Sequence, residues 1–320
     1  MARSPKPLKH FLQAVATRLI LTPLAWLPSS CSRPLCSWLA VRAGERRFGD
    51  RIRTQMSMAL SMGSDSRDTR LLADRSLRHL GLFVADGARS VLGRHKSLLD
   101  SVDSAAAMEK IRSAMEASPR GLIHIAAHLG HWELIPPIVG RTGISYAVVG
   151  RRTVNPWLYR LVERGRTAHG VAAFDQNANV RTLIRHMRGG GILGLVIDQD
   201  VARLPGEFID FLGRPAWTVT SPARIAAVAQ VPLQPVWCTW EDGGWVMHAG
   251  DPIPPPPSSD PQDITTALTS YNEFFSNLVR RHPEQWVWIH KRWETTPEKA
   301  ALIHGAPADL NEGAKPDPSC

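Results

Sequence analysis

A histidine and a carboxylic acid lie close together in the apolar segment GLIHIAAHLGHWELIPPIV at residues 121–139. Four residues separate His128 from Glu133. An imidazole can take the proton of a hydroxyl group, and a carboxylate beside the ring can orient it and stabilise the imidazolium ion. The pair therefore predicts general-base activation of a hydroxyl group, and a purely structural hydrogen bond at a loop is the alternative.

The spacing of this pair restricts the local structure. Five steps along a continuous helix would leave the two side chains roughly 140° apart, so they could not meet. They can meet if Gly121–Ala127 is a buried strand and a helix begins near Gly130, with Glu133 in its first turn. The segment therefore predicts a strand, a turn that carries His128, and a helix.

Metal binding is a second interpretation of the same segment, with His124, His128, His131 and Glu133 as ligands. That set needs helical spacing between His124 and His128, whereas the residues between them are typical of a strand. The sequence also contains no P-loop, dinucleotide fingerprint or Gly-x-Ser-x-Gly elbow. We therefore expect no metal and no cofactor.

Apolar strands alternate with helical segments along most of the chain. This pattern predicts an α/β fold with a mixed central sheet flanked by helices. The predicted strands are Gly121–Ala127, Ile144–Val149, Val171–Phe174, Ile192–Ile197, Pro235–Trp240 and Trp245–Ala249. The predicted helices are Asp68–Leu99, Ser104–Ala117, Pro156–Thr167, Val180–Met187, Pro222–Ala229 and Ile264–Arg281.

The net charge of +9 is concentrated at the N-terminus, where the first 53 residues hold ten basic and two acidic side chains. This stretch is also apolar, but Arg18 interrupts it, and Pro23 and Pro28 are expected to break any long helix. Residues 1–55 are therefore predicted to be a helical segment lying on an anionic membrane surface, with a packed helical pair as the alternative. A second domain over 56–295 and a flexible tail over 296–320 are expected to follow.

The four cysteines show neither metal-binding spacing nor a disulfide framework, which favours a reducing, cytoplasmic environment. Trp286, Trp288 and Trp293 lie beside basic residues and could stack on bases or sit at a bilayer interface. No nucleic-acid-binding motif accompanies them, so we expect no nucleic-acid partner.

Other polar residues follow the predicted strands, where α/β sheets place functional loops. Arg151 can hold a phosphate or an oxyanion, and Asp198 can fix an arginine or a substrate hydroxyl. Arg214 lies in an apolar loop that suits an acyl chain beside an anionic headgroup. The alternative for Arg151 is a solvated charge, and the alternative for Asp198 is an acid that stabilises a turn. The segment around Arg214 could equally be an ordinary surface loop.

Five segments in this order resemble the late acyltransferases of lipid A biosynthesis, over roughly residues 10–295. They are HLGHWE at 128–133, GRRTVNP at 150–156, IDQD ending at Asp200, FLGRPAWTVTSPARIA at 211–226, and PEQWVWIHKRW at 283–293. The resemblance implies a glycerolipid-acyltransferase-like domain. Its reaction would move a fatty acyl chain from an acyl carrier protein thioester or acyl-CoA to a hydroxyl of a membrane glycolipid, at the cytoplasmic face of the inner membrane.

The resemblance also implies roles for individual residues. His128 would be the general base and Glu133 would orient it. The predicted helix start and the nearby cation lead to the further hypothesis that backbone N–H groups near Gly130 or Arg151 hold the oxyanion. The remaining implied site residues, which bind substrate or support the site, are Arg151, Asn155, Asp198, Gln199 and Arg214.

Two departures from the family pattern are visible. His131 stands where the family often has Asn, so it is expected to tune the site. The N-terminal segment is poorer as a membrane span than in many relatives, which favours peripheral or monotopic attachment. Acylation of another membrane lipid, such as a mannoside or an aminolipid, hydrolysis of a thioester or ester, and lipid binding without catalysis are the competing functions.

Overall fold

Three long helices open the chain in the computed structural model, which describes residues 7–92, 96–150, 155–157, 160, 163, 167 and 169–305. They are α1 (Pro7–Trp26), α2 (Ser29–Leu60) and α3 (Arg67–Val91). The side chain of Ser66 starts α3 by accepting the N–H of Thr69 at 3.1 Å. Apolar residues of α2 and α3 join the same buried cluster as the central sheet, so these helices pack on the rest of the fold.

The N-terminal helices differ from the prediction at Pro23, which lies inside α1. A proline near the end of a helix removes only one of the backbone hydrogen bonds, so the helix can include it. The break expected at Pro28 is confirmed, since Leu27 and Pro28 separate α1 from α2. Helix α2 extends on both sides of residue 55, and the domain boundary expected there stays a prediction. None of the helices in the described residues is both long and apolar enough to span a bilayer.

A six-stranded sheet forms the centre of the molecule, in the order β3-β2-β4-β1-β7-β8. Its first five strands are parallel, and β8 is antiparallel to β7. The predicted mixed sheet flanked by helices is therefore confirmed. The described residues contain eight strands: β1 (Leu122–Ala126), β2 (Tyr146–Gly150), β3 (Val171–Asp175), β4 (Ile192–Val196), β5 (Gly206–Phe211), β6 (Arg214–Val219), β7 (Leu233–Glu241) and β8 (Gly244–Ala249).

Helices cover both faces of this sheet, which is why its parallel strands are mainly apolar. One face packs on residues of α2 and α3 and of three later helices, and the other packs on α5 and α6. The remaining helices are α4 (Lys96–Asp100), α5 (Ala105–Ala117), α6 (Ile135–Gly140), α7 (Val180–Arg188), α8 (Ser221–Ala229), α9 (Pro261–Arg281) and α10 (Pro297–His304). The predicted helix Pro156–Thr167 lies mostly outside the described residues.

Strands β5 and β6 form a separate antiparallel hairpin where the sequence indicated a loop. Leu212 and Gly213 have φ angles of 57° and 84°, as a tight two-residue hairpin turn requires. Arg292 stabilises the hairpin. Its side chain is fully buried and donates to the carbonyl oxygen of Trp217 in β6 at 2.6 Å.

The expected flexible tail begins instead with a helix. The side chain of Thr296 caps α10 by accepting the N–H of Lys299, and the ring of His304 stacks on Trp217 with centroids 5.4 Å apart. These contacts order residues 297–304, and residues 306–320 lie outside the described part of the chain.

Candidate functional site

The register of two neighbouring parallel strands brings His128 and Asp198 together. Ala126, the last residue of β1, is paired with Val196, the last residue of β4. His128 and Asp198 each lie two residues farther on, at the same edge of the sheet. The backbone N–H of His128 donates to Oδ2 of Asp198 at 2.9 Å, so the carboxylate also fixes the turn that carries the histidine.

The carboxylate of Asp198 contacts the imidazole of His128 directly, with 2.7 Å between Oδ1 and Nδ1. Its Oδ2 also accepts the indole N–H of Trp286 at 2.7 Å. Burial raises the pKa of Asp198, but the charge and the hydrogen bonds of His128, with the bond from Trp286, outweigh it and lower the pKa to about 2. The ionised carboxylate can only accept, so Nδ1 of His128 carries a proton, and in the neutral ring the lone pair is on Nε2.

Asp198 is thus the carboxylate that contacts Nδ1 of His128, whereas the sequence predicted that Glu133 orients this ring. Glu133 does lie in a helical turn, as expected, within the 3₁₀ segment Trp132–Leu134 that precedes α6. The physical reason for the difference is sheet register, which places the end of β4 directly beside the end of β1. This contact corrects the predicted arrangement, while a catalytic role for Glu133 stays a prediction.

Glu133 lines a largely apolar cavity of about 60 Å³ beside the same sheet edge. The ring of Trp132 also lines this cavity and lies edge-on to His128, with centroids 4.8 Å apart. Trp132 therefore connects the cavity wall to the imidazole of His128. Its other walls come from β1, β2, β4, β7 and α6, and they include Ala126, Ile135, Pro136, Tyr146, Val148, Gly194, Leu195 and Val236.

The opposite nitrogen of His128 faces a second histidine across a glutamine amide. Nε2 of Gln199 lies 3.0 Å from Nε2 of His128 and 3.1 Å from Nε2 of His290. The centroids of the two imidazole rings are 5.0 Å apart. Burial lowers the pKa of His290, His128 lowers it further, and Asp198 acts in the opposite direction. His290 is therefore a neutral neighbour of the predicted base at neutral pH.

Gly130 makes the sharp turn after His128, with a φ angle of 60°. A Cβ atom at this position would lie 1.8 Å from the carbonyl oxygen of Cys238 in β7, so only glycine fits. Its backbone N–H donates to the carbonyl oxygen of Gln285 at 2.9 Å. That donor is engaged, so the N–H of Gly130 itself is not available to an oxyanion, while an oxyanion site formed by other N–H groups near Gly130 or Arg151 stays a prediction.

His131 is fully buried between the rings of Phe83 and Trp245, with centroids 4.6 and 5.2 Å away. Neither of its ring nitrogens has a hydrogen-bond partner within the described part of the chain. Burial lowers its pKa to about 3. His124 is also buried, and its Nδ1 lies 3.3 Å from the hydroxyl of Tyr146. The three histidines of the alternative metal set therefore have different neighbours: His128 contacts Asp198, His124 contacts Tyr146, and His131 lies between aromatic rings.

Two of the other predicted site residues, Asn155 and Arg214, make their described contacts away from His128. Asn155 is buried and donates to the carbonyl oxygen of His10 at 2.8 Å, which ties the segment after β2 to helix α1. Arg214 is exposed on the β5–β6 hairpin, which is separate from the central sheet. Arg151 lies outside the described residues.

Sequence reasoning did not assign site roles to Trp286 and His290. Both lie in the PEQWVWIHKRW segment, whose tryptophans were interpreted as stacking or interfacial residues. Trp286 and Trp288 are instead 2% and 0% exposed, and they pack against each other with centroids 4.6 Å apart. The PEQWVWIHKRW segment was recognised as part of the family pattern. The sequence does not reveal which of its side chains contact Asp198 and Gln199.

Comparisons with known proteins agree on one class. The family described as bacterial lipid A biosynthesis acyltransferase matches residues 6–295. The lipid A biosynthesis lauroyltransferase of Escherichia coli (strain K12) is 26% identical over 60% of this chain and 61% of the relative. The lipid A biosynthesis palmitoleoyltransferase of the same organism is 25% identical over 56% of this chain and 57% of the relative. The chain thus spans about 60% of the length of these curated relatives.

Proposed function

The chain belongs to the bacterial lipid A biosynthesis acyltransferase family, and from this premise we propose that it transfers a fatty acyl chain to a hydroxyl group of a lipid A-type glycolipid. The donor is an acyl carrier protein thioester or acyl-CoA. One observation carries the proposal: Asp198 holds Nδ1 of His128 at 2.7 Å, which leaves Nε2 as the proton acceptor that a general base needs.

In the proposed reaction, Nε2 of His128 takes the proton of the acceptor hydroxyl as its oxygen attacks the thioester carbonyl carbon. A C–O bond forms, and the C–S bond then breaks. The departing sulfur receives the proton from the imidazolium ion, so the products are an ester and a free thiol. Asp198, which is ionised and buried, stabilises the positive charge that His128 carries between the two proton transfers.

We place the carbonyl end of the donor's acyl chain at the cavity lined by Trp132 and Glu133. Its walls are mainly apolar, and the contact of Trp132 with His128 puts the cavity next to the proposed base. The reacting carbonyl group lies between the apolar walls and the imidazole in this arrangement. Glu133 lines the same cavity, so in this arrangement its carboxylate lies close to the donor.

The N-terminal helices supply the proposed contact with the membrane. Leu19, Ile20 and Trp26 of α1 are 62–70% exposed, and Trp38 of α2 is 54% exposed. The guanidinium of Arg42 lies over the ring of Trp38, 5.8 Å from its centroid. Exposed apolar and cationic side chains on one segment suit the interface of an anionic bilayer. We therefore propose peripheral or monotopic attachment at the cytoplasmic face of the inner membrane.

Mass spectrometry of membrane lipids tests the proposed reaction. Cells that produce the protein should contain a glycolipid whose mass has increased by one acyl group, and cells that produce His128→Ala should not. His248→Ala is the matched control, because His248 pairs with Glu241 at 2.9 Å on the β7–β8 hairpin. A His128→Ala protein that is folded and still acylates the lipid would refute the proposal.

A further inference from the structure

The amide nitrogen of Gln199 occupies the point toward which two imidazoles direct their Nε2 atoms, at 3.0 Å from His128 and 3.1 Å from His290. A primary amide has two N–H bonds, so one nitrogen can donate to both rings at once. The partner of Nε2 in His128 must be a donor, because Nδ1 of that ring carries the proton that Asp198 accepts.

Proton positions in this group are therefore fixed in one consistent pattern. The carboxylate of Asp198 accepts from Nδ1 of His128, and Nε2 of His128 accepts from Gln199. Nε2 of His290 accepts the second amide hydrogen, which requires His290 to be neutral. The lowered pKa of His290 agrees with this state. Removing His290 would take away the acceptor of the second amide hydrogen, so one hydrogen bond instead of two would hold the amide of Gln199 at Nε2 of His128.

We infer that Gln199, held in place by His290, covers the base against water and makes the protein a transferase in preference to a thioester hydrolase. This inference rests on the proposed function. Water that reached Nε2 of His128 would react as the acceptor does: its oxygen would bond to the carbonyl carbon, its proton would pass through His128 to the sulfur, and the C–S bond would break. The products would be a fatty acid and a free thiol.

The difference between the two acceptors lies in the binding energy that each brings. A glycolipid contacts the protein and the membrane with its whole length, so it can displace one neutral hydrogen bond at the base. A water molecule has no remote part whose binding could offset that loss. The amide therefore yields to the acceptor hydroxyl and not to solvent. Gln199 and His290 are positioning residues in this scheme, and His128 remains the catalytic residue.

The experiment follows two products of the purified full-length protein with a dodecanoyl thioester of acyl carrier protein as donor. Acylated lipid is measured by mass spectrometry with an underacylated lipid A acceptor in detergent, and thiol release is measured with and without that acceptor. In Gln199→Ala and in Gln199→Asn, whose shorter amide cannot reach Nε2, the ratio of hydrolysis to transfer should rise about tenfold, as expected for one lost neutral hydrogen bond.

His290 provides the second arm and the rescue. His290→Ala should raise the same ratio, because it frees the amide of Gln199. His290→Gln should keep the ratio near that of the unmodified protein, because the oxygen of a glutamine can accept where Nε2 does. Gln176→Ala is the matched control, since Gln176 also follows a strand of the sheet but accepts from Arg203 at 2.6 Å. It should leave the ratio unchanged.

An unchanged ratio in Gln199→Ala and Gln199→Asn, with transfer still measurable, would overturn the inference and leave the proposed function intact. A parallel loss of transfer and hydrolysis in both variants would also overturn it, because that result marks a structural role. The proposed function fails separately, if the unmodified protein makes no acylated lipid or if His128→Ala consumes the donor at the same rate.

Discussion

The indole N–H of Trp286 donates to Oδ2 of Asp198 at 2.7 Å, across 88 residues of sequence. The bond joins the C-terminal PEQWVWIHKRW segment to the carboxylate that orients His128. Since Trp286 is 2% exposed and Asp198 is 4% exposed, neither group can replace this partner with bulk water. The C-terminal segment is therefore part of the candidate site, although its tryptophans are core residues.

Asp198→Asn should lower kcat by a factor of about 10⁴, the size of effect seen when a base histidine is left in the wrong tautomer. The asparagine amide can donate to Nδ1 of His128, which moves the ring proton to Nε2 and removes the lone pair. Glu133→Gln should have a smaller effect on kcat, because Glu133 is not the partner of Nδ1. Steady-state kinetics with both variants measure this, and a larger loss in Glu133→Gln would contradict it.

Trp286→Phe should reduce kcat about tenfold and destabilise the fold by about 1–3 kcal/mol, because it leaves a buried carboxylate oxygen with one donor fewer. Trp288→Phe is the matched control. The indole of Trp288 donates to the carbonyl oxygen of Pro283 at 2.7 Å, so this variant also loses one bond of a buried indole. Chemical denaturation should show similar losses in both variants, and only Trp286→Phe should lose activity. Equal kinetic losses would count against a role of Trp286 in the site.

The strand and turn around His128 could be predicted because their signals are local. The apolar run at residues 121–127 indicated a buried strand, and β1 is found at Leu122–Ala126. Gly130 indicated a turn, and it has a positive φ angle against the backbone of β7. Such features depend on residues close together in sequence, where periodicity and turn chemistry are visible.

The partners of His128 could not be assigned because they depend on strand order and register. Nothing in the spacing of residues 128 and 198 reveals that β1 and β4 are neighbours with Ala126 opposite Val196. The carboxylate nearer in sequence, Glu133, was therefore chosen as the orienting group. The inward turn of His290 has the same origin, since it depends on how the C-terminal segment packs on the sheet edge.

Three buried histidines should make the protein sensitive to mild acid. Burial lowers the pKa of His79, His124 and His131 from 6.5 to about 3. Between pH 6.5 and about pH 3 these histidines take up protons in the unfolded chain but not in the native state. The free energy of unfolding therefore falls as the pH falls below 6.5. The loss is about 1.4 kcal/mol per pH unit for each histidine, or roughly 6 kcal/mol for all three at pH 5.

Urea unfolding between pH 7.5 and pH 5 measures that loss, and His131→Phe tests its origin. Phenylalanine suits the aromatic surroundings formed by Phe83 and Trp245 and has no nitrogen to protonate. The variant should lose about a third of the pH dependence. An unchanged slope would show that His131 does not take part in the acid response.

Replacing Arg42, Arg46 and Arg47 by Ala should weaken binding to anionic vesicles. The three side chains are exposed on α2, and each cation near an anionic surface contributes about 1 kcal/mol. A combined Arg181, Arg185 and Arg188→Ala variant removes three exposed arginines from α7 as the control. Flotation with vesicles containing phosphatidylglycerol compares them, and equal binding by both triple variants would remove the electrostatic part of the membrane proposal.

Gly130→Ala should destabilise the protein by at least about 3 kcal/mol, because the new methyl group adds a clash with the carbonyl oxygen of Cys238 to the strain of a positive φ angle. Gly213→Ala separates the two effects. Gly213 has a φ angle of 84°, but a Cβ atom there meets nothing within 4 Å, so only about 1 kcal/mol of backbone strain is expected. In chemical denaturation, the midpoint of Gly130→Ala should be well below that of Gly213→Ala. Equal midpoints would mean that the turn after His128 moves away from β7 at little cost, and the site would then tolerate a change in the position of its base.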